Sequence, residues 1–445
     1  MKSNSLLMTE GKIYSKIIKF ALPMFWGNLF QQLYNIVDAL VVGNFVGRDA
    51  LAAISSTGSL IFLMVGFFGG VFSGVGVVIS KYFGARDLEN VKKSVGNAMA
   101  FGIISGVILT IVGTVFTPHI LRLMGTPESV FSNAVLYVRI YFSGAIFIVM
   151  YNTANGIFQA VGDSKHPLYF LITSSIVNVM LDLLFVAILK MGVMGAAFAT
   201  VISQAVSVVL AFHRLTKVKD VYKVEFKNIH IDKEILKEML LIGFPSGIQN
   251  SVIALANLVV QSNINGFGPV AMAACGSYSK IEGFAFIPIT SFAMSMTTFT
   301  SQNIGAKQYE RVKKGAKYGI MTSVALAEIV GLIFFIFAPI FIGLFSKESE
   351  VILIGTKQAR TISLFYFLLA FSHSIAGILR GAGKSKIPMF TMLICWCIIR
   401  VSYITVATHF INDIKVIFWA YPLTWSLSSI LFLIYYLKAD WMYRF

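Results

Sequence analysis

A chain of 445 residues with 57% hydrophobic and only 13% charged residues is not a water-soluble globular protein, which keeps about a quarter of its residues charged. The formal net charge of +16 would suit nucleic acid, but the basic residues sit in short connections between apolar runs, so no nucleic-acid partner is expected. Cys275, Cys395 and Cys397 lie inside apolar runs and have neither disulfide nor zinc spacing, which leaves packing as their role.

The apolar runs are about 20 to 25 residues long, enough to cross a hydrocarbon core of about 30 Å. They lack the alternation of transmembrane strands, so the expected class is an all-α membrane protein. Twelve spans are predicted. The first, near 15–45, carries Pro23 and a polar stripe of Gln31, Tyr34, Asn35 and Asp38, spaced three or four apart and so on one helical face. It lacks a small-residue cleavage site and is read as retained rather than as a signal peptide. The second, near 51–80, is glycine-rich from Gly66 to Gly76, which suits tight helix contact. Spans near 94–117 and 135–160 follow, the latter with Arg139 near its start. The fifth, near 167–189, holds Ser174, Ser175, Asn178 and Asp182, and the sixth, near 193–213, holds Thr200 and Gln204.

A basic connector, 214–237, separates these from a second set of six. The seventh span, near 238–264, carries Pro245, Gln249, Asn250, Asn257 and Gln261. The eighth, near 270–302, carries Lys280 and Glu282. The ninth to twelfth lie near 317–345, 359–381, 388–410 and 414–437, with Glu328, His373 and Arg400 as isolated polar residues. With the N-terminus in the cytoplasm, the cytoplasmic segments hold about 26 of the 36 Lys and Arg and the opposite side about seven. That asymmetry predicts a multi-pass protein of the cell membrane with both termini cytoplasmic.

Shifting the sequence by 221 residues brings it into register with itself. Gly84-Ala85-Arg86 with Val91-Lys92-Lys93 falls on Gly305-Ala306-Lys307 with Val312-Lys313-Lys314. Gly162, Ser164-Lys165 and Pro167 fall on Gly383, Ser385-Lys386 and Pro388, and Arg139 falls on Arg360. The chain is therefore a duplication: an N-lobe at 1–213, a connector at 214–237 and a C-lobe at 238–445. Six spans is an even number, so both halves insert with the same orientation. Transporters built this way bind solute near the midplane and expose it alternately.

Charges inside the membrane mark function, because each costs about 2.5–3.5 kcal/mol on insertion scales. Of the 20 acids only Asp38, Asp182, Glu282 and Glu328 lie well inside spans, and none is repeated at the offset. The duplicated scaffold therefore does not require them. Asp38, Asn178, Asp182 and Thr200 supply oxygens suited to a hard monovalent cation, and the carboxylates suit a proton equally. Glu282 either lines a solute path or pairs with a neighbour. Gln31, Tyr34, Asn35, Gln204, Asn257 and Gln261 are candidates for a wet solute cavity, or for hydrogen bonds between helices. Pro23 is either a fixed kink or a point where the first helix bends.

No GxxxxGK[ST], HExxH or GxSxG pattern occurs, so ATP is not the expected energy source and no enzyme activity is expected. The repeated Gly84-Ala85-Arg86 and Gly305-Ala306-Lys307, Gln159-Ala160-Val161-Gly162-Asp163, and Gly195-Ala196-Ala197 with Ala199-Thr200 resemble multidrug and toxic compound extrusion (MATE) transporters along the whole chain. The resemblance implies twelve helices in two six-helix lobes and export of cationic, amphipathic small molecules against Na⁺ or H⁺, with no cofactor beyond that ion. Within the family the chain is most similar to the DinF-like branch. That similarity implies coupling-ion residues Asp38, Asn178, Asp182 and Thr200, and bending of the first helix at Pro23. The acids of the NorM-like branch in spans seven and ten have no counterpart here: no Asp or Glu falls between Glu238 and Glu282, or within span ten. The alternative is a flippase for a lipid-linked or other amphipathic substrate, which would want a strongly cationic cavity. Lys280 and Arg400 are the main intramembrane bases, too few for one. A channel is the third reading, and the duplicated lobes with unduplicated acids speak against it. A monomer is expected, bathed in membrane lipid.

Overall fold

In the computed structural model, residues 7–46 and 48–442 are described, with the side chains of 39, 48–56 and 59 left aside. The described residues contain helices and connecting turns and no strand. In chain order the helical rods are α1 (Ile13–Phe45), α2 (Arg48–Gly84), α3 (Leu88–Leu123) and α4 (Glu128–Ser143 continued by Ala145–Ala160). They are followed by α5 (Lys165–Asp182, then a π-helical turn at Leu183–Ile188) and α6 (Gly192–Lys217). The second set is α7 (Lys233–Asn265), α8 (Pro269–Gly305), α9 (Tyr309–Gly343) and α10 (Ser349–Ile362 through Ser363–Phe365 to Tyr366–Gly381). It ends with α11 (Lys386–Met392, a π-helical turn at Leu393–Ile399, then Arg400–Phe410) and α12 (Lys415–Lys438).

The twelve rods coincide with the twelve predicted spans. Among the described residues, nine helices are long and apolar enough to cross a membrane, and the two halves of α4, bent by 48°, make a tenth. The long rods α1 and α9's neighbour α8 are absent from that set because polar residues dilute their hydropathy. In lipid only a helix can satisfy its own backbone, so apolar runs of this length are held helical by the solvent itself. The bend in α4 has a local cause. A side chain at Gly144 would strike Val201 on α6, and the freed Ile146 N–H instead donates to Thr110 Oγ1 on α3, 3.2 Å away.

The duplicated motifs are turns. Arg86 and Lys307 both take left-handed backbone, at φ 58° and 56°. In each case the next amide closes the helix: Asp87 N–H donates to Tyr82 O at 3.0 Å, and Gln308 N–H to Asn303 O at 2.8 Å. Gly162 and Gly383 repeat the device at φ 82° and 72°, where a residue without Cβ adopts the left-handed form freely. The repeat is thus most visible at the corners where the backbone demands a special conformation.

Packing divides the chain into two compact units, and the division does not follow chain order. One is built mainly from Trp26–Gly247, the other from Met8–Phe25 and Ile248–Phe445. The first part of α1 therefore packs in the second unit, and the first part of α7, Lys233–Gly247, packs in the first. Pro23 and Pro245 each lie two residues before the change of unit. A proline there removes one helical hydrogen bond and eases a change of direction.

Within the first unit, α2, α3 and α4 surround a core of Val75, Val78, Val95, Met99, Ile157 and Phe158, all buried. The start of α7 closes on α2 through Gly70 and Gly74 facing Gly243 and Gly247. A Cβ on Gly74 would collide with the Met239 carbonyl oxygen, and one on Gly243 with that of Val71. Small residues four apart on both helices let the backbones meet, the interface expected where lipid supplies no hydrophobic drive. Beside it Glu238 accepts from Lys81 Nζ at 2.5 Å and Tyr82 Oη at 3.0 Å. The connector lies on this unit too, with Tyr222 and Val224 buried and the Asp232 carbonyl accepting from Asn97 Nδ2 at 2.6 Å. In the second unit, Phe299 and Met296 of α8 fill the gaps left by Gly315 and Gly319 of α9.

Candidate cation-coupling site

The first unit brings together the two acids that the sequence singles out. Asp38 is near the end of α1 and Asp182 ends the regular part of α5, just before the π-helical turn. Their carboxyl groups lie within hydrogen-bonding reach of each other. Asp182 is fully buried and Asn178, one turn earlier, is 1% exposed. Asp38 is half-buried. The wider turn after Asp182 loosens the helical register there, as such turns often do at functional sites.

Among the described residues no salt bridge joins a basic side chain to either acid. Among the described residues, Asp38 Oδ1, both carboxylate oxygens of Asp182, both amide atoms of Asn178 and Ser175 Oγ are buried without a hydrogen-bond partner. A buried carboxylate left bare is strongly unfavourable, and two facing each other are worse. A proton shared between the carboxyls, or a cation among the oxygens, is the kind of partner whose chemistry suits such a cluster. Ser175, Asn178 and Asp182 share one face of α5, spaced three and four apart. Thr200 of α6 donates its hydroxyl to Ala196 O at 3.0 Å, which leaves the oxygen lone pairs for another partner.

Tyr34 of α1 and Tyr137 of α4 lie close enough to feel the charge of both carboxylates. Tyr137 was not legible in the sequence, because one tyrosine among 17 in an apolar helix carries no signal. Gln31 and Asn35 are exposed on α1, and Gln204 is half-buried on α6. Asn257 and Gln261 are exposed on the part of α7 that belongs to the second unit. Gln261 Nε2 donates along its own helix to Asn265 Oδ1 at 2.9 Å.

Glu282 also belongs to the second unit and has partners. Tyr278 Oη donates to Glu282 Oε1 at 3.3 Å and lies 2.9 Å from Tyr366 Oη. Arg400 is within electrostatic reach. Arg360, the repeat counterpart of Arg139, donates to Phe335 O at 3.3 Å and covers that ring, a packing role. Among the described residues no group of three or more His, Cys, Asp or Glu could hold a metal ion.

The comparisons with known proteins agree with the architecture. The MatE family model matches twice, at 23–184 and 245–406. The two matches begin 222 residues apart, one more than the spacing of the turn motifs. A probable multidrug resistance protein of Bacillus subtilis (strain 168), YoeA, is 29% identical over 98% of this chain and 96% of its own length. The multidrug export protein MepA of Staphylococcus saprophyticus is 23% identical over 87% of this chain and 86% of its own. Among solved structures, the outward-facing conformation of a multidrug resistance MATE family transporter superposes with a TM-score of 0.93 at 23% identity, over 99% of both chains. The family model covers more than two thirds of the sequence in two copies, one in each half, and on that ground the chain belongs to the MatE family: it is a multi-pass membrane transport protein and not an enzyme.

Proposed function

We propose that this protein is a secondary active multidrug exporter that releases cationic, amphipathic organic molecules in exchange for Na⁺ or H⁺. The observation that carries the reading is the Asp38–Asp182 pair, whose buried oxygens Asp38 Oδ1 and both of Asp182 have no hydrogen-bond partner among the described residues. The names of the relatives, multidrug resistance and multidrug export proteins, support the substrate class. The match of Asp38, Asn178, Asp182 and Thr200 to the DinF-like pattern supports the site.

The physical logic is exchange of a charge. With the ion bound, the two carboxylates are neutralised and α1 packs against α5. Without it, their repulsion favours a different position of the Asp38 segment, and Pro23 gives α1 a place to bend. A ligand shifts such an equilibrium only by its differential affinity for the two states, and a cation that bridges two helices supplies that difference. The excess of Lys and Arg in alternate connections supports cytoplasmic termini in a cell-membrane protein, and the presence of both halves in one chain supports a monomeric transporter.

The test is efflux of a fluorescent organic cation from proteoliposomes, with sodium and pH gradients imposed separately. Uphill efflux driven by one gradient is expected for wild type, and loss of at least ~90% of it in Asp38→Asn and in Asp182→Asn, since one intramembrane charge carries the coupling. Undiminished gradient-driven efflux in both variants would overturn the reading. Efflux insensitive to either gradient would point to a flippase instead.

A further inference from the structure

The second half of the chain repeats the scaffold of the first but not its acids, and a cation of its own stands there. Arg400 is on α11, the counterpart of α5. At the offset of 221 set by the turn motifs it falls on Val179. At the 222 set by the family matches it falls on Asn178; a π-helical turn, Leu393–Ile399, precedes Arg400, whereas in α5 the corresponding turn comes after Asp182. Either way Arg400 falls, in the repeat, on Asn178 or its neighbour Val179.

Its surroundings are those of a bound cation. Arg400 is 4% exposed, and its Nε and Nη2 both donate to Thr424 Oγ1 of α12, at 3.2 and 3.0 Å. The guanidinium lies over the rings of Tyr421, 4.5 Å from the centroid, and Trp396, at 5.5 Å. Aromatic faces and a carboxylate are the groups that recognise an organic cation. The carboxylate is Glu282, held by Tyr278 and within electrostatic reach of the guanidinium. No Arg400–carboxylate contact within 4.0 Å is found among the described residues. The guanidinium is thus not locked in a bidentate pair with the carboxylate, and a buried charge is tolerated best where an opposite charge and hydrogen bonds compensate it.

We propose that Arg400 is a tethered cation: it fills, in the second unit, the place that the mobile coupling ion takes in the first, and so limits ion exchange to one half of a duplicated transporter. Removing the guanidinium should convert the second unit into a site for a free cation, for which Glu282, Tyr278, Thr424 and the faces of Tyr421 and Trp396 are the ligands. This rests on the first unit's reading as the ion site, and the two are separable by experiment.

The experiment is thermal melting of the purified full-length protein in detergent, in the Asp38→Asn background where the first unit's response to ions is removed. With Arg400 present, neither sodium nor millimolar guanidinium chloride should shift the melting temperature. In Asp38→Asn/Arg400→Ala, guanidinium should raise it by several degrees, and adding Glu282→Gln should abolish that response while itself restoring part of the lost stability. A missing guanidinium response in the Arg400→Ala protein overturns the proposal. So does a triple variant that is less stable than the double one. If Arg400→Ala protein does not accumulate folded, recovery of folded protein on adding Glu282→Gln supports the charge pairing, and failure to recover overturns it. The first unit is judged apart: a wild-type protein whose melting ignores both sodium and pH removes that reading and with it the equivalence to a coupling ion, while the guanidinium response still reports whether Arg400 occupies a cation site in the second unit.

Discussion

The carboxyl groups of Asp38 and Asp182 are neighbours, and Asp38 Oδ1 and both oxygens of Asp182 have no donor among the described residues, so each acid destabilises the other whenever both are charged. Replacing one by the isosteric amide removes that repulsion and supplies an N–H to the remaining acid. Asp182→Asn is therefore expected to melt at least as high as wild type in ion-free buffer, by about 1–3 °C more, while losing gradient-driven export. A variant that loses activity and stability together would show a structural acid instead. These acids were legible in the sequence because a carboxylate in an apolar helix is rare, costly and unduplicated. Ser175, on the same face of the fifth span, was legible with them, whereas Tyr137 joined the cluster only in three dimensions, since tyrosine is common in membrane helices for packing reasons. The role of Arg400 escaped the sequence for a similar reason. A lone base has no visible partner until α8, α11 and α12 bring Glu282, the aromatic rings and Thr424 around it.

At the scale of the helices, glycine decides where backbones meet. Gly69 and Gly70 are neighbours on α2 with opposite surroundings. A Cβ at Gly69 meets nothing within 4 Å, whereas one at Gly70 would reach the backbone of Ser246 and Gly247 on α7 at 2.4 to 2.6 Å. Gly69→Ala should therefore stabilise by about 0.5–1 kcal/mol through helix propensity alone. Gly70→Ala should destabilise by about 1–3 kcal/mol, because the opposing atoms are backbone and move only with their helix. Melting of the two variants side by side checks the contrast, and equal effects would mean that α2 and α7 do not meet as described. The glycine run from Gly66 to Gly76 announced close packing in the sequence. Its partner was not announced, because α7 lies in the other half of the chain and nothing local links Gly70 to Gly247.

At the scale of the whole molecule, the repeat in the sequence recovered twelve spans and two halves, but the packed units exchange the first parts of α1 and α7. Chain order carries no trace of that exchange: a helix reads the same whichever neighbours it packs against along its length. The exchange makes the segment before α1 structural in the second unit. Met8 is fully buried there, its N–H donating to Gln302 Oε1 at 2.9 Å. Its carbonyl accepts from Arg311 Nε and Nη2 at 3.1 and 3.0 Å, and Arg311 also reaches the Glu10 and Gly11 carbonyls at 3.1 and 2.8 Å. One guanidinium thus gathers three backbone carbonyls whose own helix has not yet begun; the bonds to Met8 are part-buried and those to Glu10 and Gly11 lie in the open, where solvent competes for them. Arg311→Ala strips all of them, so the expected result is loosening of the first turns of α1 from the second unit, read as faster proteolysis near Lys12 and Lys16 and as a drop in melting temperature. Arg311→Lys keeps the charge but, as a single point donor, holds fewer carbonyls, and should fall between the two. The effect should be confined to that end of α1: the first unit's ion response, which depends on Asp38 and Asp182, should survive in Arg311→Ala at temperatures where the protein remains folded. Proteolysis unchanged from wild type would show that the apolar packing of Met8, Ile17 and Phe20, all buried, holds this segment without the arginine.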